Sequence, residues 1–405
     1  MATERAYWLS WSQIKGVGPV TIKHLWEHFG ALEIAWQASA SSLVEVDGIG
    51  LLSAENIVSQ RGKLCPDSIL AKHEEHNLSF WTPADSDYPT LLFAINDPPP
   101  VLYYRGNLKL NELSNLFVGV VGTRRPSSYG RRWTQRLSRQ LTRKGTVIVS
   151  GLAAGIDTVA HESCLKEQGL TIAVLGTGVD QVYPTRNTQL QAEIAERGLL
   201  LSEYPDGTGP DKKHFPQRNR IIAGLSRAIL MTEAPIRSGA LITARLANEY
   251  CREVYALPCG LDNEQGAGNL RLINQGAQLI LGEDTLIEAL SELPPIHLPS
   301  YSRHSKQALS ISLSSAQASG AQMQHRSDRN EDKLSIDPYK LANASVPNLS
   351  PMLSQVLEAV PIEPTVLDNI VQVTQIETGK VLGALVQLEL LGLVTQLPGM
   401  QYQKG

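Results

Sequence analysis

The chain has 405 residues, of which 42% are hydrophobic and 19% are charged, and its formal net charge is −4. This length predicts two or three domains, and the net charge argues against a uniformly basic nucleic-acid-binding coat. The cysteines form no C-x-x-C pair, so we expect reduced thiols and neither a zinc site nor a disulfide framework. The N-terminus lacks a signal-peptide core and no apolar span is long enough to cross a bilayer, so a cytoplasmic protein is expected.

Residues 1–85 contain two stretches with the same glycine spacing. Ile14–Ile22 and Val46–Ala54 each carry an apolar-x-Gly-apolar-Gly pattern followed by a helical run. The pattern resembles paired helix-hairpin-helix motifs, in which the glycine turn exposes amides to a nucleic-acid backbone. The glycines equally suit tight turns between helices, and six basic against ten acidic residues favour that interpretation. We predict a helical helix-hairpin-helix (SAM-like) domain whose contact with DNA stays open.

Residues 86–294 alternate between short apolar runs and longer helical stretches. A proline-rich connector at 96–100 and a strand-like stretch at 101–106 come first. The runs that follow are Phe117–Val121, Thr146–Ser150, Thr171–Leu175, Leu199–Ser202, Ala228–Thr232, Glu253–Leu257 and Gln278–Leu281. Runs of this kind are typical of parallel strands covered on both faces. We therefore predict an α/β domain with a mostly parallel sheet, whose ligands bind at the carboxyl ends of the strands.

The loop Gly122–Gly130 follows the first run and predicts an anion site. A Gly/Pro/Ser turn lies between a strand and an arginine-rich helix start, which aims backbone N–H groups at an anion. No Gly-Lys-Ser/Thr closes the loop, so it is not a Walker loop. The second run ends at Ser150 without the acid that a dinucleotide fingerprint requires. We interpret the loop as a phosphodiester site beneath Arg124 or Arg125; the alternative is a packing turn with solvated arginines.

The segment that begins at Ser150 is rich in small residues. They allow a ligand backbone to approach Gly151 closely, and the Ser150 hydroxyl is placed to bind a phosphate oxygen. Asp157 and His161 have the i, i+4 spacing of metal ligands or of a proton relay. Because no third ligand is evident, we expect a hydrogen-bonded pair on the helix surface instead.

Two carboxylates, Glu203 and Glu233, end the fourth and fifth runs. Such a pair at one sheet edge is suited to acid/base catalysis. We favour the alternative that they orient nearby arginines, because no plausible nucleophile accompanies them.

The predicted loop Lys212–Gly224 joins two lysines, an aromatic ring beside a proline, and an asparagine between two arginines. A basic run by itself is usually a solvated face, and Phe215 alone is compatible with a place in the core. Together they match the way single strands are held, with cations along the backbone and an aromatic ring stacked on a base.

The C-terminal part of the chain changes character twice. Residues 295–350 are serine-rich without an apolar period and predict a flexible linker. Residues 351–405 predict three short helices, at 352–360, 365–371 and 378–391, and a hairpin of 393–397 and 400–403, which together form a winged-helix module. This module carries two basic and five acidic residues, so we predict that it contacts protein or its own sheet domain and does not grip DNA.

Five motifs in order resemble the DNA-processing protein A family (DprA, also called Smf). They begin at Gly122, Ser150, His214, Ser238 and Asn269 and span about residues 85–290. The resemblance implies an extended Rossmann-like fold that binds single-stranded DNA in natural transformation, protects incoming strands and loads the RecA recombinase. It also implies a homodimer, with no catalytic residue, metal or cofactor.

The resemblance assigns phosphate binding to Arg124 and to Lys212 or Lys213, and base stacking to Phe215. The complete predicted DNA-binding set, including the residues chosen for their loop chemistry, is Gly122, Arg124, Ser127, Ser150, Gly151, Lys212, Lys213, Phe215, Arg218, Asn219 and Arg220. The alternative function is a Rossmann-like enzyme that cleaves nucleotides with Glu203 and Glu233.

Overall fold

The computed structural model describes residues 3–76, 79–106, 108, 110–113, 115–294, 351–361, 365–376, 378–390, 393–397 and 401–404. The chain divides into two compact units, Met1–Gly320 and Ala321–Gly405. The predicted linker, residues 295–350, lies outside the described residues. Among the helices that the structure describes, none is both long and apolar enough to span a membrane.

The N-terminal helices pack around tryptophan and aliphatic side chains. They are α1 (Glu4–Ser12), α2 (Pro19–Phe29), α3 (Leu32–Gln37), α4 (Ala40–Leu43), α5 (Leu51–Arg61) and α6 (Pro66–His76). Trp8 and Trp11 are almost completely buried in this core. Gly16 and Gly48 have φ angles of 89° and 83°, a conformation that glycine adopts readily, in the turns before α2 and α5. Both turns therefore follow the predicted glycine pattern.

A nine-stranded sheet forms the centre of the first unit. Its strands are β1 (Phe80–Trp81), β2 (Leu102–Gly106), β3 (Phe117–Gly122), β4 (Val147–Ser150), β5 (Thr171–Val174), β6 (Leu199–Ser202), β7 (Ala228–Glu233), β8 (Glu253–Ala256) and β9 (Gln278–Leu279). Their order is β1-β2-β6-β5-β4-β3-β7-β8-β9. Strands β3 to β9 are parallel, whereas β2 pairs antiparallel with both β1 and β6.

Helices cover both faces of this sheet. They are α7 (Thr90–Phe93), α8 (Ser128–Arg143), α9 (Ile156–Lys166), α10 (Thr188–Arg197), α11 (His214–Leu225), α12 (Ala240–Glu249), α13 (Ala267–Asn274) and α14 (Glu283–Ser291). Alternate side chains of one strand enter separate cores: Val118 and Val120 lie in one cluster, Phe117 and Val121 in another. Burial on both faces explains why these strands are apolar without alternation.

The predicted mostly parallel α/β sheet is confirmed, and each of the seven apolar runs contains a strand. Strand β1 was not predicted, because two residues are too short for any periodicity. It pairs with β2 although it belongs to the segment 1–85 that the sequence predicts to be helical. The domain boundaries themselves stay predictions.

The second unit contains α15 (Pro351–Ala359), β10 (Thr365–Val366), α16 (Leu367–Thr374), α17 (Thr378–Leu390), β11 (Val394–Leu397) and β12 (Gln401–Lys404). Strand β12 pairs antiparallel with β10 and β11, and Val381 and Leu385 are fully buried beside them. The predicted helix at 365–371 is wrong at its start, where Thr365 and Val366 form a third strand.

Candidate nucleic-acid interface

The loops after β3, β4 and β5 meet the start of α11 at the carboxyl edge of the sheet. Arg124, Gly151, Gly176 and Phe215 contribute, one from each segment, to a cleft of about 50 Å³. Pockets that enclose a small molecule measure roughly 300–1,000 Å³. The cleft is thus too small to enclose a nucleotide.

Phe215 and Arg124 form the centre of this cleft. The Phe215 ring packs on Gly176, where an added Cβ would lie 2.8 Å from its Cδ1. The Arg124 guanidinium carbon lies 5.4 Å from the centre of the Phe215 ring, within the range of a cation–π contact. Arg124 is exposed and Phe215 is half-buried. Two residues from distant parts of the chain, both in the predicted set, thus place a cation beside an aromatic ring.

Tyr183 also belongs to the cleft, although it is absent from the predicted set. Its ring centre lies 5.3 Å from that of Phe215, with a tilt of 34°, and 40% of the residue is exposed. The sequence held a signal: Tyr183-Pro184 follows the glycine turn after the third apolar run, and like Phe215-Pro216 it sets an aromatic residue before a proline.

The segment predicted as a loop at 212–224 forms helix α11 from His214 onwards. Lys212 and Lys213 precede the helix and are exposed, which leaves their charges open to a ligand. The half-buried Asn219 donates its side-chain N–H to the carbonyl of Gly239 at 3.3 Å. Asn219 therefore ties α11 to the start of α12.

Arg218 does not lie on the open surface. It is 4% exposed and donates to the carbonyl of Gly151 at 2.7 Å and to that of Val174. Burial lowers the pKa of Arg218 to about 10, an effect that nearby Asp157 opposes. Gly151 is buried too, and a Cβ on it would meet the Arg218 guanidinium at 2.5 Å. The predicted DNA contact of Arg218 is corrected, because its guanidinium joins β4 to β5 beneath the surface. Gly151 makes room for that guanidinium and also lines the cleft, so its own DNA contact stays a prediction.

Arg220 is likewise part of the fold. It is 7% exposed and forms ion pairs with Glu203 at 2.7 Å and with Asp97 at 3.2 Å. Its predicted DNA contact is therefore corrected. The expectation that Glu203 orients an arginine is confirmed by the same ion pair.

Glu233 occupies the start of α8 that was predicted to hold a phosphate. Its carboxylate accepts hydrogen bonds from the Ser127 backbone N–H and side-chain hydroxyl, each at 2.6 Å, and Glu233 is 1% exposed. An added Cβ on Gly122 would lie 2.6 Å from the Glu233 carbonyl. Glu233 therefore orients a helix start instead of an arginine, which corrects that expectation. Ser127 and Gly122 contact Glu233 but are partly exposed, so their DNA contacts stay predictions.

The predicted phosphate contact of Ser150 is also wrong. Its hydroxyl is fully buried and donates to the carbonyl of Val120 at 2.6 Å. The side chain therefore joins two neighbouring strands beneath the surface.

Asp157 and His161 are buried, not on the helix surface, and bond to different partners. Asp157 accepts from the N–H groups of Gly151 and Ala153, while His161 Nδ1 bonds to Thr171 Oγ1 at 2.7 Å. Burial raises the pKa of Asp157 to about 6 and, together with Arg218, lowers the pKa of His161 to about 3. The predicted surface pair is wrong, and both groups stabilise the loop and helix behind the cleft.

The fold and the cleft define an α/β protein with a cationic and aromatic surface at its strand ends, and comparison with known proteins identifies its family. Residues 79–291 match the family model DNA recombination-mediator protein A, and residues 340–400 match the DprA winged helix domain. The chain belongs to this DprA/Smf family. The resemblance seen in the sequence and the winged-helix module are thereby confirmed.

Similar proteins occur in several bacteria. The chain is 47% identical to Protein Smf of Synechocystis sp. over 99% of both chains. It is 41% identical to DNA processing protein DprA of Bacillus subtilis, over 55% of this chain and 75% of the relative. The X-ray structure of DprA from Streptococcus pneumoniae superposes with a TM-score of 0.62 at 34% identity, covering 73% of this chain and all of that one.

Proposed function

We propose that this protein binds single-stranded DNA without cleaving it, protects incoming strands in natural transformation and loads the RecA recombinase onto them in the cytoplasm. The observation that carries the proposal is the meeting of exposed Arg124 with the Phe215 ring at the strand ends. A cation for a phosphate beside a ring for a base is how single strands are held. The relatives' names, DNA processing protein and recombination mediator, support a DNA ligand.

The contacts of the two edge carboxylates argue against the alternative, a nucleotide-cleaving enzyme. Glu203 is paired with Arg220, and Glu233 is buried against Ser127. A general acid or base must reach the reacting group. Neither carboxylate meets that requirement, so no observation favours hydrolysis.

Binding of labelled oligothymidylate, followed by fluorescence anisotropy, tests the proposal. Phe215→Ala removes the stacking ring and should weaken single-strand binding by about 1–3 kcal/mol, or roughly 5- to 150-fold. Arg124→Ala removes one phosphate contact and should reduce the slope of log affinity against log salt by about 0.7. Duplex DNA of the same length should bind more weakly than the single strand.

Two control variants separate these effects from damage to the fold. Phe215→Leu keeps an apolar contact with Gly176 but has no aromatic face, so it should lose affinity as Phe215→Ala does. Arg143→Ala removes an exposed charge that is paired with Glu167 and should bind like wild type. Wild-type affinity in both Phe215→Ala and Arg124→Ala would refute the assignment of the cleft.

RecA loading requires its own assay. We expect the protein to speed nucleation of RecA on single strands covered by a single-strand-binding protein, and Phe215→Ala to lose most of that stimulation because it no longer holds the strand. Tight DNA binding without any effect on RecA nucleation would leave DNA binding intact and contradict the loading role.

The proposed homodimer has a candidate surface at strand β9, the last strand in the sheet order. Leu279 in β9 is 44% exposed and Leu281, two residues after the strand, is 77% exposed, while Leu261 in the loop after β8 is 94% exposed. An edge strand is a template for pairing with another chain, and exposed apolar patches mark interaction surfaces. Leu281→Glu should shift the sedimentation equilibrium from dimer to monomer, whereas Leu52→Glu, an equally exposed position in the N-terminal helices, should not.

A further inference from the structure

The cations of helix α8 fall into two sets. Those on its second half are neutralised by carboxylates of neighbouring elements. Arg136 donates to both oxygens of Glu283, at 2.7 and 2.6 Å, and Glu167 pairs with Arg139 at 3.8 Å and with Arg143 at 2.9 Å. These arginines connect α8 to the rest of the fold.

The cations at the start of the helix have no such partners. Arg125, Arg131 and Arg132 are exposed, and within the described part of the chain no carboxylate oxygen lies within 4.0 Å of their guanidinium groups. The carboxylate at this end, that of Glu233, is already bound to Ser127. Arg125 precedes the helix, and Arg131 and Arg132 are its fourth and fifth residues, so the partial positive charge at the helix N-terminus does not attract these cations. Carboxylate pairing therefore does not account for their positions.

These unpaired cations continue from the cleft. Arg125 follows Arg124 directly in the chain, and Arg131 and Arg132 lie about one turn into the helix that this loop begins. The Arg132 guanidinium carbon lies 5.9 Å from the centre of the Tyr129 ring, and the Tyr129 hydroxyl donates to the Pro258 carbonyl at 3.0 Å. The Tyr129 ring beneath Arg132 is thus held by a backbone carbonyl, which leaves the positive charge of Arg132 unneutralised.

We propose that Arg125, Arg131 and Arg132 form a second phosphate subsite, which binds the single strand where it continues past Arg124 over the start of α8. The inference rests on the proposed function, since it extends the strand held at Phe215. A phosphodiester chain carries one negative charge per nucleotide, which suits a row of unpaired guanidinium groups. A strand that occupies both subsites is longer than one that fills the cleft alone.

The test compares two double variants of the full-length protein that lose the same charge on the same helix. Arg131→Ala/Arg132→Ala removes the unpaired set, and Arg139→Ala/Arg143→Ala removes cations paired with Glu167. Affinity is measured at 50 and 200 mM KCl for oligothymidylates of about 6 and about 20 nucleotides, one within and one beyond the roughly 4–16 nucleotides that single-strand binders cover. Urea unfolding confirms that each variant is folded.

For the long strand, wild type should lose about 7-fold more affinity than Arg131→Ala/Arg132→Ala over this fourfold rise in salt, because two phosphate contacts change the slope by about 1.4. The short strand should bind both alike, and Arg139→Ala/Arg143→Ala should behave as wild type. An unchanged slope in the first variant, or an equal loss in both double variants, would overturn the subsite. If instead both Phe215→Ala and Arg124→Ala bind the short strand like wild type, the cleft assignment fails, and a reduced long-strand slope in Arg131→Ala/Arg132→Ala would still support the subsite.

Discussion

The two halves of the segment Lys212–Arg220 carry similar charge and have opposite roles. In the first half, Lys212 and Lys213 are exposed beside the Phe215 ring. In the second half, Arg218 and Arg220 are buried and bind carbonyl and carboxylate oxygens of their own chain. A cation in this basic segment can therefore stabilise the fold, so the number of basic residues in the sequence overstates the number that are exposed to a ligand.

The largest expected effect concerns the buried half. Arg220→Ala leaves Glu203 and Asp97 without their cation and should destabilise the protein by about 3–5 kcal/mol, as loss of one partner of a buried ion pair does. Urea unfolding measures this. Lys213→Ala, in the exposed half, should change stability by no more than about 0.5 kcal/mol. Similar stabilities in the two variants would remove the distinction between the halves.

The next effect concerns pH and extends the comparison to His161 and Asp157. The folded state holds His161 neutral, with its pKa at about 3 against an ordinary 6.5. Near pH 5 His161 binds a proton in the unfolded state but not in the folded state. Acidification from pH 7 to pH 5 should therefore lower the free energy of unfolding by about 2 kcal/mol through His161. Asp157, whose pKa is raised to about 6 from 3.8, takes up a proton in the folded state and should offset about 1 kcal/mol over the same range.

Urea midpoints at pH 7 and pH 5 separate these opposing contributions. His161→Asn should lose less stability than wild type on acidification, and Asp157→Asn should lose more. Because Asp157 and His161 are both buried, the folded variants should bind the single strand at pH 7 with nearly wild-type affinity. Parallel pH profiles for all three proteins would contradict the burial argument.

The smallest effect lies on the exposed side of the cleft. Tyr183→Ala removes the ring next to Phe215 and should weaken oligothymidylate binding by about 1 kcal/mol, the lower end of what one stacked base contributes. Tyr183→Phe keeps the ring and should bind like wild type in the same anisotropy assay. Loss of affinity in Tyr183→Phe would assign the effect to the hydroxyl and not to stacking.

The parallel strands could be predicted from the sequence because burial on both faces makes each of them a plain apolar run. Strands β1 and β10 could not, since two residues carry no pattern. Within the site, Arg124 and Phe215 were predicted from their chemistry and from the family resemblance, and they meet in the structure. Their contact depends on tertiary packing, which a linear motif does not display.

The sequence around Arg218 contains a pattern that indicates its burial. Arg218, Ile221, Ile222 and Leu225 follow the i, i+3, i+4, i+7 spacing of one helical face, and all of them are buried. This spacing indicates a helix, whereas the segment was predicted to be a loop. For the buried Ser150 the sequence offered no comparable signal, because a small polar residue at a strand end suits a ligand and a hydrogen-bonded turn equally well.

Glu233 has a consequence for selectivity inside a cell. Strand order reverses between β3 and β7, the point at which open α/β sheets usually receive cofactors, and the carboxylate of Glu233 fills the helix start there. The phosphate of a free nucleotide would have to displace the Glu233 carboxylate from this helix start. We therefore expect free nucleotides to compete poorly with a polymeric ligand at this edge.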